Sequence, residues 1–137
     1  MASREDVRQA IVTAIEARKA SWADNTLIVE YDNRELVNRD THVNPFLCVE
    51  LLYIDGYQAS LFPDPVHRIL GTIILTAKVK QGSGSKAAND LLDHFYTAIH
   101  LTDTITPIRT HAAKLVRAKS EAGWVGESAV IPFWYDN

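Results

Sequence analysis

The chain is short of most features that mark a specialised sequence. Its 137 residues include one cysteine, Cys48, so no internal disulfide can form and no thiolate cluster can hold zinc. No apolar run approaches the ~20 residues that a membrane-spanning helix needs. The opening MASREDVRQA carries charges where a secretory signal would carry an apolar core. The 14 Lys and Arg nearly balance the 17 Asp and Glu, and no block of one sign occurs. The clustered basic face of a nucleic-acid binder is therefore missing. What remains, 47% apolar and 23% charged, is the composition of a single globular domain spanning residues 1–137, long enough to bury a core. A cytoplasmic site of folding or assembly fits these absences.

The hydrophobic pattern reads as helix, sheet, helix, sheet. Ser3 followed by Asp6 has the spacing of a capping box, and Val7, Ala10, Ile11, Ala14 and Ile15 recur at helical spacing behind it. Residues 26–31 are a short β-prone run. Residues 46–54 read as a strand apolar on both faces, hence central, with Asp55-Gly56 as a hairpin turn. Phe62-Pro63-Asp64-Pro65 breaks the chain. Residues 69–80 form a long strand, with Ile73, Leu75, Ala77 and Val79 on one face and Thr72, Ile74, Thr76, Lys78 and Lys80 on the other. A second helix starts near Ser85, its stripe running through Ala88, Leu91, Leu92, Phe95, Tyr96 and Ile99. Two more strands follow, residues 114–119 and 124–135, around a turn at Glu121-Ala122-Gly123.

The stretch Gly82-Ser83-Gly84-Ser85-Lys86 invites comparison with a phosphate loop. A P-loop needs its lysine directly after the second glycine, and a dinucleotide fingerprint needs a third glycine where Ala87 stands. The preceding strand also carries Lys78 and Lys80, unlike a buried parallel strand. A corner, with two glycines turning the chain and Ser85 capping the helix, accounts for the same residues. Other chemistry is as sparse. Asp90 and His94 share a metal-compatible spacing on what reads as a solvated face, with no third ligand in sight. His42, His67, His100 and His111 are scattered, Cys48 reads as an inert buried thiol, and Glu50 as a partnered or rim carboxylate. No catalytic residue, cofactor site or metal site is therefore assigned.

Two segments point to contact surfaces. Residues 32–45 have no clean period, and a loop of that length inside a compact domain is usually functional or mobile. In residues 124–135, Pro132 cannot donate a ladder hydrogen bond, so this strand is expected at an edge or with a bulge. Trp124 and Trp134 would then lie on an outer face that a neighbouring subunit covers. Arg34 and Arg39 in the loop, with Trp124 and Trp134, are the candidate subunit or tube contacts.

The run from Arg68 through Gly71, Val79 and Gly82-Ser83-Gly84 to Ala87, Leu91 and Phe95 resembles the strand, Gly-x-Gly turn and helix of phage tail terminator proteins, relatives of the phage lambda tail terminator. Gly123-Trp124 through Ala129, Val130, Ile131 and Pro132 is similar to that family's closing strand, and the element order agrees along nearly the whole chain. One departure is Val79-Lys80-Gln81, where relatives often carry a proline before the turn. The resemblance implies an α+β subunit with two helices on one face of a mainly antiparallel sheet, a mixed sheet being left open. It further implies a homo-hexameric ring in the virion tail, assembled in the host cytoplasm. That ring would cap the tail tube protein and face a head-side connector protein, with DNA passing its lumen without specific binding. It implies no cofactor, no membrane and no catalysis. A head-completion adaptor, or a small phosphate-binding enzyme using the corner, are the alternatives.

Overall fold

The computed structural model describes residues 2–32, 34–58, 66–121 and 123–136. The chain order is α1 (Arg4–Lys19), β1 (Val29–Tyr31), β2 (Phe46–Gln58), β3 (His67–Lys80), α2 (Lys86–Ile99), β4 (Arg109–Thr110), β5 (Lys114–Arg117) and β6 (Trp124–Asp136). The strands form one six-stranded sheet, ordered β1-β2-β3-β6-β4, with β5 also on β6. Only β1 with β2 is parallel, so the sheet is mixed. This is a single α+β domain with both helices on one face of the sheet.

The helices form where the sequence patterns predict them. Ser3 and Asp6 close a reciprocal capping box at α1, with Asp6 N–H to Ser3 Oγ at 3.1 Å and Ser3 N–H to Asp6 Oδ2 at 2.9 Å. Val7, Ile11 and Ile15 of α1 meet Leu91, Leu92, Phe95 and Ile99 of α2 over Leu47, Val49, Ile73, Leu75, Ala129, Ile131 and Phe133, all buried in one core. The α2 start differs from expectation. Ser85 stands at the N-cap position in helical backbone and makes no capping hydrogen bond through its side chain. His94 differs too: it sits in the seam between the helices, where its Nε2 donates to the Arg18 carbonyl (2.9 Å) and Arg18 Nε donates to the His94 carbonyl (2.7 Å). Asp90 points elsewhere, to Lys86 at 2.6 Å.

Three strand expectations need correction. Asp55-Gly56 does not turn the chain. β2 continues to Gln58, one residue out of step across Tyr53 and Asp55, as a β-bulge requires. The expected break at residues 62–65 lies outside the described residues. β6 is not an edge, because β3 pairs along its whole length on one side and β4 and β5 pair on the other. Pro132 fits there because its carbonyl, and hence its missing N–H, faces residues 111–113 between β4 and β5, where His111 N–H donates to that carbonyl at 2.9 Å. β4 has no counterpart in the sequence pattern. β2, read as central, is covered by β1 only at residues 47–49.

Candidate interaction site

The sheet face opposite the helices carries the chemically distinctive side chains. Strand alternation puts Glu30, Cys48, Glu50, Thr76, Lys78, Ser128 and Trp134 there. Residues 34–45 of the loop fold over one end of this face. Val37 is buried with Phe46 and Trp124 in a second, smaller core, and His42 stacks on Trp124 with ring centroids 6.1 Å apart. Trp124, expected to point outward to a neighbour, is 1% exposed, and its Nε1–H donates to the Arg39 carbonyl at 3.0 Å. The loop is the cover that the sequence pattern assigned to another subunit.

Arg39 pins that cover down. Its guanidinium grips Glu30 with two bonds, Nη1 to Oε2 at 2.7 Å and Nη2 to Oε1 at 2.8 Å, and reaches Glu121 Oε1 through Nε at 3.0 Å. It lies 4.6 Å over the Phe46 ring. Lys78 Nζ pairs with the other Glu121 oxygen. Burial pushes the Glu30 carboxyl up, but Arg39 and the N–H groups of Leu36 (2.7 Å) and Val37 (2.9 Å) outweigh it and hold it down at about 2. Cys48 is half-buried beside them, its thiol pushed up to about 12 by burial, so it is protonated and unreactive at neutral pH. These side chains with Glu35, Glu50 and Thr76 line a cleft of about 380 Å³. Glu30 and Glu121 are paired there with Arg39 and Lys78, and Glu35 and Glu50 add two further acidic side chains, so the lining carries more acidic than basic groups.

Of the other candidates, Arg34 is exposed at the loop start, its backbone N–H bonded to the Tyr31 carbonyl at 2.9 Å. Trp134 is half-buried on the outer face between two guanidinium groups, Arg68 at 3.9 Å and Arg109 at 5.7 Å from its ring centre. The structure therefore does not bring the four together: Arg39 and Trp124 are internal, while Arg34 and Trp134 face out. At the Gly82-Ser83-Gly84 corner both glycines have positive φ, +92° and +81°, which is what two glycines supply at a turn. Among the described residues no group of three or more His, Cys, Asp or Glu side chains is placed to hold a metal ion.

No protein-family model and no curated protein matches this chain. One solved structure, which bears no descriptive name, superposes with a TM-score of 0.67 at 10% identity, over 98% of this chain and 96% of its own. At that identity the likeness shows the fold and nothing about function. Among the described residues no helix is long and apolar enough to cross a membrane.

The surface that sequence reasoning missed is the pair of sheet edges. β5 is exposed at all four residues, and beyond Val49 no described strand covers β2. Of the eight large apolar side chains left exposed among the described residues, five lie on these two edges: Leu52, Tyr53, Ile54, Leu115 and Val116. Such edges are where another chain can add. The available signal was the apolar pair Leu115-Val116 inside an otherwise charged strand, Lys114 to Lys119.

Proposed function

We propose that this chain is a phage tail terminator subunit. Six copies close into a ring on the end of the tail tube, prevent further tube subunits from adding, and present a second side to the head-side connector. The observation that carries the reading is the pair of unlike open edges. They lie on opposite sides of one sheet, so a contact between them joins copies head to tail, and head-to-tail contacts generate rings when the rotation closes.

Other features support it. The residues of the family resemblance fall on β3, the glycine corner, α2 and β6, the centre of the sheet and the helix upon it. A stopper acts by occupying a position, which needs shape and binding rather than turnover. With net charge −3 and no clustered Lys and Arg, the subunit offers little grip to phosphates, as a lumen that DNA must slide through requires. The assembled protein belongs in the virion tail, put together in the host cytoplasm. Trp134 and Arg34 are the two outward candidates for tube or connector contact.

Deleting the gene from the phage that encodes it tests the proposal. Electron micrographs should show filled heads and unjoined tails of uncontrolled length, and supplying the protein in trans should restore joining. Tails of normal length already attached to heads in the deletion would overturn it.

A further inference from the structure

We infer that β5 of one copy adds to the open half of β2 in the next copy as an antiparallel strand, so that the sheets of neighbours become continuous. The inference rests on the ring reading for its closure and on the edges themselves for the contact. Successive strand residues turn their N–H and C=O groups to alternate sides. In β2 the Val49 carbonyl accepts from Asp32 N–H (3.3 Å) and Leu47 N–H donates to the Ile28 carbonyl (3.1 Å), so odd-numbered residues face the β1 side. β1 ends level with Val49, and Leu51 and Tyr53 continue to face that side with no strand opposite among the described residues. At the far edge Ala118 N–H donates to the Gly126 carbonyl at 2.9 Å. Even-numbered residues of β5 therefore face β6, and Leu115 and Arg117 face away.

β5, β6, β3 and β2 each run antiparallel to the next, so β5 opposes β2 in direction. A neighbour related by rotation about an axis inclined to the strands, as closure of a staggered sheet requires, keeps that opposition. One register then joins only groups that are open, with Leu115 opposite Tyr53 and Arg117 opposite Leu51. Moving it by two residues would set Arg117 against Val49, already bonded to Asp32, or carry Leu115 past the bulge to Asp55. The same register sets Val116 over Leu52 on the outer face. All four apolar partners are exposed in the single subunit, Leu115 at 55%, Tyr53 at 36%, Val116 at 37% and Leu52 at 50%, and each finds an apolar counterpart. Charge does not select this register, since Arg117 is already paired with Glu127 at 3.6 Å and Asp32 with Arg8 at 3.2 Å within one subunit. Through the register β5 is level with residues 47–50 of its own β2, so joining it to residues 51–54 of the next copy steps each copy along the strands. A sheet that closes on itself requires such a stagger.

Disulfide trapping tests this. Leu52→Cys with Val116→Cys in a Cys48→Ser chain places the thiols on a non-hydrogen-bonded pair, whose Cα atoms lie ~4.5 Å apart, within disulfide reach. Oxidation of the concentrated protein, its fold checked by circular dichroism, should give a ladder of covalent multimers. Mixing the two single-cysteine chains should give one dimer, and each alone none. Absence of multimers, or dimers from one single-cysteine chain alone, would overturn the inference. Native mass spectrometry separates the two levels. Open chains without a closed species would keep the strand contact and sink the ring, whereas a closed ring that never cross-links would keep the ring and sink this contact.

Discussion

Replacing Glu30 by Gln should make the protein's acid sensitivity fall by a calculable amount. Glu30 is 4% exposed, and its carboxylate accepts from both Arg39 nitrogens, from Leu36 and Val37 N–H, and from the Cys48 thiol at 3.4 Å. It titrates at about 2 in the folded chain against 4.5 for an unperturbed carboxyl. The difference corresponds to about 3 kcal/mol of stability at neutral pH. Because the folded value is the lower one, the unfolded chain takes up the proton first. The contribution is complete above ~4.5 and disappears as the pH falls towards ~2. Urea unfolding of the wild type and Glu30→Gln, in steps from about pH 7 to about pH 2.5, should show a gap of about 3 kcal/mol that narrows across that window. Using the difference between the chains removes the other depressed carboxyls, such as Asp136 beside Arg68, which both share. Arg39→Met should be costly at neutral pH, about 3–5 kcal/mol, because it strands a buried carboxylate. Acid should relieve part of that deficit by protonating Glu30. A gap independent of pH in both variants would refute the claim that this pair holds the loop to the sheet.

Phe95→Ala should lower stability by about 3–5 kcal/mol in denaturant titration, since Phe95 is wholly buried between both helices and the sheet. Trp124→Ala should cost a similar ~3–5 kcal/mol and, because it removes the floor beneath Val37 and the bond to the Arg39 carbonyl, should raise hydrogen exchange across residues 34–45 specifically. Lys86→Ala should leave the melting temperature unmoved, because Lys86 is a solvent-exposed partner of Asp90 at the glycine corner. Loss of assembly in a folded Lys86→Ala protein would show that the corner binds something.

Periodicity made the helices and the three long strands legible, because each buries a stripe or face against one core. Val7, Ile11 and Ile15, or Leu91, Leu92 and Phe95, announce themselves at any distance along the chain. Order across the sheet was not legible in the same way. Pro132 argued for an edge on the assumption that both sides of an interior strand need every donor, yet the gap between β4 and β5 removes that need at one residue. Gly56 looked like a turn but lies inside β2, where a Cβ would meet His67 Nε2 at 2.6 Å. The site was hidden for a related reason. Glu30, Arg39 and Glu121 are 9 and 82 residues apart along the chain in pairs, and no local pattern links groups that only the fold brings together.

The open edges raise a physical question that the ring reading answers. Exposed strand edges with Leu and Val invite unspecific addition, and soluble proteins blunt them with charge, shortness or bulges. Both edges here carry such devices. β5 is four residues long and bounded by Lys114 and Arg117, and β2 is bulged between Tyr53 and Asp55. A four-residue ladder cannot hold two copies together at low concentration, because its area falls well short of the ~1,200 Å² of a standard stable interface. It can do so when a template places the copies side by side, since the entropic cost of meeting is then already met. Edges that are open but weak therefore suit a subunit that stays apart until a tube end gathers it. The consequence is measurable. Sedimentation of the purified protein should show dissociated subunits at micromolar concentration. Replacing Lys114 and Arg117 by Leu, which removes the charges bounding β5, should produce concentration-dependent association into larger species. A double variant that stayed fully dissociated at millimolar concentration would mean that this edge has no tendency to pair, and the balance argued here would fail.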